Sequence, residues 1–146
     1  MIRVVVNTDA IDIAREMSVI EADGAGAVAT FSGLVRADDG VGTLELEHYP
    51  GATNAALVGL AELAKARWSL LAATIVHRVG VMHPGERIVF VGVSAPHRAA
   101  ALEACAFLID RLKTEAPFWK RETRGADAQW VEPRDSDDAA AARWSA

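Results

Sequence analysis

Short runs of β-branched residues alternate along this chain with longer stretches whose apolar residues recur at helical spacing. IRVVV (residues 2–6) reads as a strand, and Asn7, Thr8 and Asp9 after it are capping types ahead of the amphipathic run DAIDIAREMSVI. Glycines at 24 and 26 punctuate the chain before GAVATFSGLVR, where Val28, Thr30 and Ser32 alternate with Ala29, Phe31 and Gly33 as in a strand. That run opens through Leu34-Val35-Arg36 into the polar loop ADDGVG. LELEHY (residues 44–49) alternates again, with Leu44, Leu46 and His48 on one face and Glu45, Glu47 and Tyr49 on the other. After Pro50-Gly51, Leu57, Leu60, Leu63 and Ala64 form one helical stripe ending near Trp68.

TIVHRVGVM and RIVFVGVSA then predict two paired interior strands joined through the turn His83-Pro84-Gly85. From His97 onward Ala101, Leu102, Cys105, Leu108, Ile109 and Leu112 recur at helical spacing. Pro117 cannot continue the helix, which is expected to stop just after Lys113. PFWKRET and AQWVEP predict a closing pair of strands, and DSDDAAAARW a short last helix capped by Asp135 or Ser136. The pattern predicts one α+β domain over residues 1–146, with a mainly antiparallel sheet and two principal helices.

Composition narrows the function classes. With 146 residues, 51% hydrophobic and 24% charged, the chain has enough apolar material for one real core. A net charge of -5 argues against a nucleic-acid coat, so a local cationic cluster must be a site. The single cysteine, Cys105, cannot close an internal disulfide, and MIRVVVNTDA lacks the order of a secretory signal, so the cytoplasm is the expected compartment. No apolar run approaches the roughly 20 residues that span a bilayer.

Phosphate-cradling glycine loops, paired cysteines, His-x-x-x-His and serine elbows are absent. His48, His77 and His83 lack ligand spacing and read as packed or solvated strand residues, while Cys105 falls on an apolar helix face and reads as core. His97-Arg98 follows Ala95-Pro96 at a helix start, where free N–H groups and the macrodipole favour an anion, so it reads equally as a phosphate seat or as decoration. Arg36 at a strand mouth beside a glycine-bearing loop is also ambiguous, a solvated loop arginine being the commoner case. LKTEAPFWKRETR is the stronger signal: Lys113 and Lys120-Arg121 flank the end of a helix, and Phe118-Trp119 can wall one side from water. The plain alternative is an ordinary positive helix terminus.

Those residues and the blocks AVATFSGLVR, LELEHYPG, TIVHRVG, HPGE, FVGVSAPHR, LKTEAPFWKRE and WVEPRDSD together resemble the large, catalytic (MoaE) subunit family of molybdopterin synthase over nearly the whole chain. The resemblance implies an α/β hammerhead-type fold and a homodimer within a heterotetramer. It also implies a small ubiquitin-like sulfur-carrier partner whose C-terminal Gly-Gly thiocarboxylate enters a pocket. There cyclic pyranopterin monophosphate gains two sulfurs and becomes molybdopterin. Carried onto this chain, substrate contacts fall on Arg36, His97, Arg98, Lys113, Lys120, Arg121 and Glu122, with Arg134 of EPRDSD as a further one; Lys113 and Lys120 would be catalytic. Leu34 stands where relatives carry lysine, and ADDGVG is shorter than the corresponding loop. The resemblance calls for no cofactor or metal, because it implies that molybdenum enters later.

Bringing a cyclic phosphate together with a thiocarboxylate requires cations that offset their repulsion. On one helix, Arg98 and Lys113 lie about 22 Å apart along the axis, so one copy cannot apply both to one phosphate ester and a two-fold dimer is expected to do so. A non-catalytic adaptor that captures the acidic tail of a small partner would use the same cations.

Overall fold

The computed structural model describes residues 1–36, 40–124, 127–131 and 135–144. In chain order it contains β1 (Ile2–Asn7), α1 (Ile13–Ile20), β2 (Ala27–Leu34), β3 (Thr43–His48), α2 (Ala52–Trp68) and β4 (Ala72–Arg78). β5 (Gly80–Met82), β6 (Arg87–Ala95), α3 (Arg98–Glu115), β7 (Phe118–Arg124), β8 (Asp127–Val131) and α4 (Asp135–Ala142) follow. The strands form two four-stranded sheets, β1-β4-β6-β2 and β5-β3-β7-β8. Only the β1–β4 pair is parallel among the described ladders.

The first sheet carries the core. One face of β4 and β6 presents Ala73, Ile75, Val89, Val91 and Val93 to Leu57, Leu60, Ala61 and Ala64 of α2 and to Ala101, Ala104 and Leu108 of α3. α2 lies over β1 and β4, and α3 over β6 and β2. The opposite face receives α1 through Ile20, which packs with Val76 and Phe90. Eight residues are too few for a helix to persist alone in water, so α1 depends on that burial and on its ends. Glu16 is buried and takes two hydrogen bonds from Arg3 of β1, at 2.8 and 3.0 Å.

Several expectations change in detail. The cap of α1 is Asp12, whose side chain accepts from the Arg15 N–H at 3.1 Å; Asn7 instead accepts from Asp9 in the turn after β1. TIVHRVGVM is two strands because the chain bends at Gly80, whose φ of +86° favours glycine. α3 continues past Lys113 to Glu115, with its last cap N–H bonding Leu112. α4 starts at Asp135, and the position before it lies outside the described residues. Leu63 and Leu102, which the periodicity puts in the core, are 55% and 62% exposed. Helical stripes wider than the covered surface spill over at their margins.

Two glycines separate backbone tolerance from backbone necessity. A methyl on Gly26 would sit 2.1 Å from the Pro96 carbonyl oxygen, which is backbone and cannot step aside, whereas a methyl on Gly59 in α2 meets nothing within 4 Å. Gly26→Ala is therefore expected to lower unfolding stability by about 1–3 kcal/mol, and Gly59→Ala to raise it by about 0.5–1 kcal/mol. Urea titration of both variants checks the pair.

Candidate active site

A cavity of about 310 Å³ opens where the end of the first sheet meets the second. β2 and the residues after it supply Gly33, Leu34, Val35 and Arg36; α3 supplies Lys113; and β7 supplies Lys120, Glu122 and Arg124. It continues inward to a pocket of about 90 Å³ floored by His77, Leu46, Leu112 and Phe118. Outward, a shallower bay reaches Phe31, Ser32, Ser136 and Asp137. Lys113 and Lys120 line all of these spaces.

Strand register decides which members of Lys120-Arg121-Glu122 face the cavity. In the β3–β7 ladder Lys120 is opposite Leu46, Glu122 opposite Leu44, and Arg121 opposite Glu45. Opposed residues share a face, and Leu44 and Leu46 are buried, so Lys120 and Glu122 point inward while Arg121 points away. Arg121 instead makes an ion pair with Glu45 and lies over the Trp130 ring at 5.5 Å. Period two also brings in Arg124, which donates to Glu122 at 2.8 Å and lines the same wall. That residue is missing from the expected set, although KRETR places it two steps beyond Glu122.

The reversal at Ala116-Pro117 returns the chain from α3 to β7 and so sets Lys120 beside Lys113. Phe118 fixes it by stacking on His77, centroids 4.1 Å apart and planes 26° apart. Trp119, expected to shield the cations, lies on the other face, edge-on to Tyr49 at 4.4 Å. His97 and Arg98 are exposed at the start of α3 and line none of these spaces, and His97 gives α3 no side-chain cap. Arg134 lies outside the described residues, as do residues 37–39 of the polar loop. Leu34 is 54% exposed at the cavity mouth.

The site is electropositive: Arg36, Lys113, Lys120 and Arg124 outnumber Glu122 in the main chamber. The effect reaches His77. Burial pushes its pKa down to about 3, against a hydrogen bond of 2.8 Å to the Arg78 carbonyl, and Lys113, Lys120 and His48 push the same way as burial. His77 is thus a neutral ring donating from Nδ1, wedged beneath two ammonium groups. Cys105 is buried with its thiol pushed up to about 11, so it is core and no nucleophile.

A family model described as MoaE protein matches residues 6–115. The molybdopterin synthase catalytic subunit of Escherichia coli K12 is 51% identical over 127 residues, 85% of each chain. That of Yersinia pestis is 47% identical over 146 residues, covering 97% of each. The solved molybdopterin biosynthesis MoaE protein from Burkholderia ambifaria MC40-6 superposes with a TM-score of 0.86 at 45% identity, over 100% of this chain and 99% of that one. Among the described residues no helix is long and apolar enough to cross a membrane.

His77 generates a pH prediction. Its folded pKa of about 3 lies below the unfolded value of about 6.5, so between those limits the unfolded chain binds the extra proton and stability falls as pH falls. The slope from this one group approaches about 1.4 kcal/mol per pH unit. His77→Gln should flatten the stability profile between about pH 6.5 and 4 relative to the parent, a difference that thermal melts across pH detect.

Proposed function

Because the chain belongs to the MoaE family, we infer that it is the catalytic subunit of molybdopterin synthase, converting cyclic pyranopterin monophosphate to molybdopterin with sulfur from a thiocarboxylated small carrier. The observation that carries this reading is the convergence of Lys113 and Lys120 on one cavity with Arg36. Both reactants are anionic, and a partly desolvated cluster of cations offsets their repulsion where water would do so only weakly. The carrier's sulfur bonds to an oxygen-bearing side-chain carbon of the pterin as that carbon's bond to oxygen breaks, the oxygen staying on the opened phosphate ester at one carbon and leaving as water at the other. Water then cleaves the acyl carbon–sulfur bond, which frees the carrier as a carboxylate and leaves the sulfur behind. A second carrier repeats the transfer, and the cyclic phosphate opens.

Lys113 polarises the incoming thiocarboxylate, and Lys120 steadies charge on the pterin intermediate and its departing oxygen. Arg36 binds phosphate through paired N–H groups, with Arg124 on the opposite wall held by Glu122. Arg121, tied to Glu45 on the far face, braces β3 against β7. Arg134 remains a phosphate ligand in this proposal. The compartment is the cytoplasm, where the lone buried thiol stays reduced.

His97 and Arg98 reach substrate from a second copy of the chain. A homodimer at the heart of a heterotetramer, with one carrier per cavity, gives each site Lys113 from one protomer and Arg98 from its partner.

Two measurements test these assignments. With thiocarboxylated carrier and cyclic pyranopterin monophosphate, Lys113→Ala should lose about 100-fold or more in dithiolene formation while binding the carrier nearly as tightly. A parent protein that binds carrier yet forms no dithiolene would be an adaptor instead. Arg98→Ala and Lys113→Ala should each be impaired alone, yet a randomised equal mixture of the two should recover roughly a quarter of parent turnover, because about half of the dimers are mixed and one of the two sites in each of those is intact. Mixing with no recovery would mean that both residues serve one chain.

A further inference from the structure

We propose that the inner pocket seats the water that hydrolyses the acyl carbon–sulfur bond, with Asp137 as the base that takes its proton and His77 as the residue that orients it. This rests on the sulfur-transfer reading above and assigns residues to its hydrolytic step. The pocket holds about 90 Å³, well under the roughly 300 Å³ at which small-molecule sites begin, and takes about three waters at roughly 30 Å³ each. It shares Lys113 and Lys120 with the main chamber, so its contents lie against whatever the chamber binds. Leu46, Leu112, Phe118 and Val131 wall it from bulk water, and the polar groups that reach it are the two lysines, Thr114, His77 and Asp137.

Hydrogen-bond polarity decides which of these groups prepares a nucleophile. A water held by ammonium groups gives its lone pairs to their N–H donors and turns its hydrogens outward. A water held by acceptors does the reverse: its hydrogens are engaged and a lone pair is left for a carbon atom. In a site lined by Arg36, Lys113, Lys120 and Arg124, acceptors are the scarce element. Glu122 lies in the main chamber and takes a 2.8 Å hydrogen bond from Arg124. The inner pocket has its own. Nδ1 of His77 donates to the Arg78 carbonyl at 2.8 Å, so Nε2 carries a lone pair, and the stack on Phe118 holds the ring in that setting. Asp137 of α4 brings a carboxylate to the inner pocket and to the outer bay alike. Burial and the nearby cations hold the His77 pKa down at about 3, so the imidazole takes a hydrogen bond and leaves the proton to the carboxylate.

Once the carrier's sulfur is bonded to the pterin, Lys113 polarises the acyl oxygen of the thioester. The water oxygen bonds to the acyl carbon and gives one proton to Asp137. The carbon–sulfur bond breaks, its electron pair goes to sulfur, and the sulfur stays on the pterin as a thiolate. The carrier leaves with a new carboxyl group. Its remaining proton passes to solvent, as does the one on Asp137, which borders the outer bay as well as the inner pocket. Asp137 is then a carboxylate again for the second transfer.

Stalled hydrolysis leaves a thioester joining carrier to pterin, which intact mass spectrometry of the carrier detects. In single turnovers quenched with acid, Asp137→Asn should form dithiolene about 100-fold more slowly than the parent while the carrier–pterin adduct accumulates. Hydroxylamine attacks thioesters without a base to activate it, so it should discharge the adduct as carrier hydroxamate and restore dithiolene formation in this variant, with little effect on the parent. His77→Phe keeps a ring against Phe118 and loses the lone pair; it should slow turnover about tenfold with the same adduct. His77→Gln, whose amide oxygen reaches the place of Nε2, should accumulate less of it. Asp137→Asn turnover within about threefold of the parent, or either Asp137→Asn or His77→Phe slow without adduct, overturns the proposal. A parent that forms neither adduct nor dithiolene overturns the catalytic reading itself.

Discussion

The structure depends on holding like charges together in a cavity that is half hydrophobic wall. Lys113 and Lys120 approach from different elements, so no single helix or strand imposes their meeting; the reversal at Ala116-Pro117 and the register of β7 on β3 do. Left alone, such groups would swing apart into water. What opposes that is rigid packing around them. Leu112 is buried one residue before Lys113, and the lysine at 120 is flanked two residues back by Phe118, stacked on His77. His77 absorbs part of the strain by staying uncharged, its proton on Nδ1 directed at the Arg78 carbonyl instead of into the cavity. A protonated imidazole there would add a further buried cation, which is why the site is coupled to stability at mildly acid pH.

The outer elements steady this arrangement from behind. Trp144, after α4, donates to Asp110 at 2.7 Å and lies edge-on to Trp68 and Phe107, and Arg143 pairs with Asp110. Arg67 lies over the Trp68 ring at 4.7 Å, completing an aromatic and guanidinium stack that joins α2, α3 and the chain after α4. Such contacts are worth about 0.5–1 kcal/mol each at exposed positions. Together they hold α4 where Ser136 and Asp137 border the outer bay of the cavity. Asp137 lines both the outer bay and the inner pocket and sets a carboxylate among the lining cations Lys113 and Lys120.

Much of this was legible in the sequence because strands and helices announce themselves by period. The alternation in LELEHY survives in the burial of Leu44 and Leu46, and the reading of Lys113 with Lys120 required only that a proline end a helix between them. Lys120-Arg121-Glu122 was harder. Three consecutive strand residues cannot share a face, and choosing between them needs the partner strand's register, which is a property of the fold. The parallel pairing of β1 with β4 and the division into two sheets are long-range choices of the same kind. Leu63 and Leu102 show the converse error: hydrophobic spacing marks a stripe without saying how much of its width the fold covers.

A lone cysteine in a sulfur-transferring subunit looks at first like the obvious reactive group, and the physical chemistry rules it out. Cys105 is buried on the core face of α3 and its thiol is pushed up to about 11, so thiolate is scarce near neutrality and no substrate reaches it. The cavity, by contrast, offers ammonium and guanidinium groups with no thiol among the lining residues. A site of this composition stabilises negative charge and supplies no sulfur of its own, so the sulfur must arrive on another molecule. An acyl thiocarboxylate meets that need: its sulfur is anionic near neutral pH, and in the proposed mechanism the cations that draw it in also lower the barrier to its attack. Fold, charge and the inert Cys105 thiol therefore agree on one division of labour, in which this chain arranges the anions and its partner brings the sulfur.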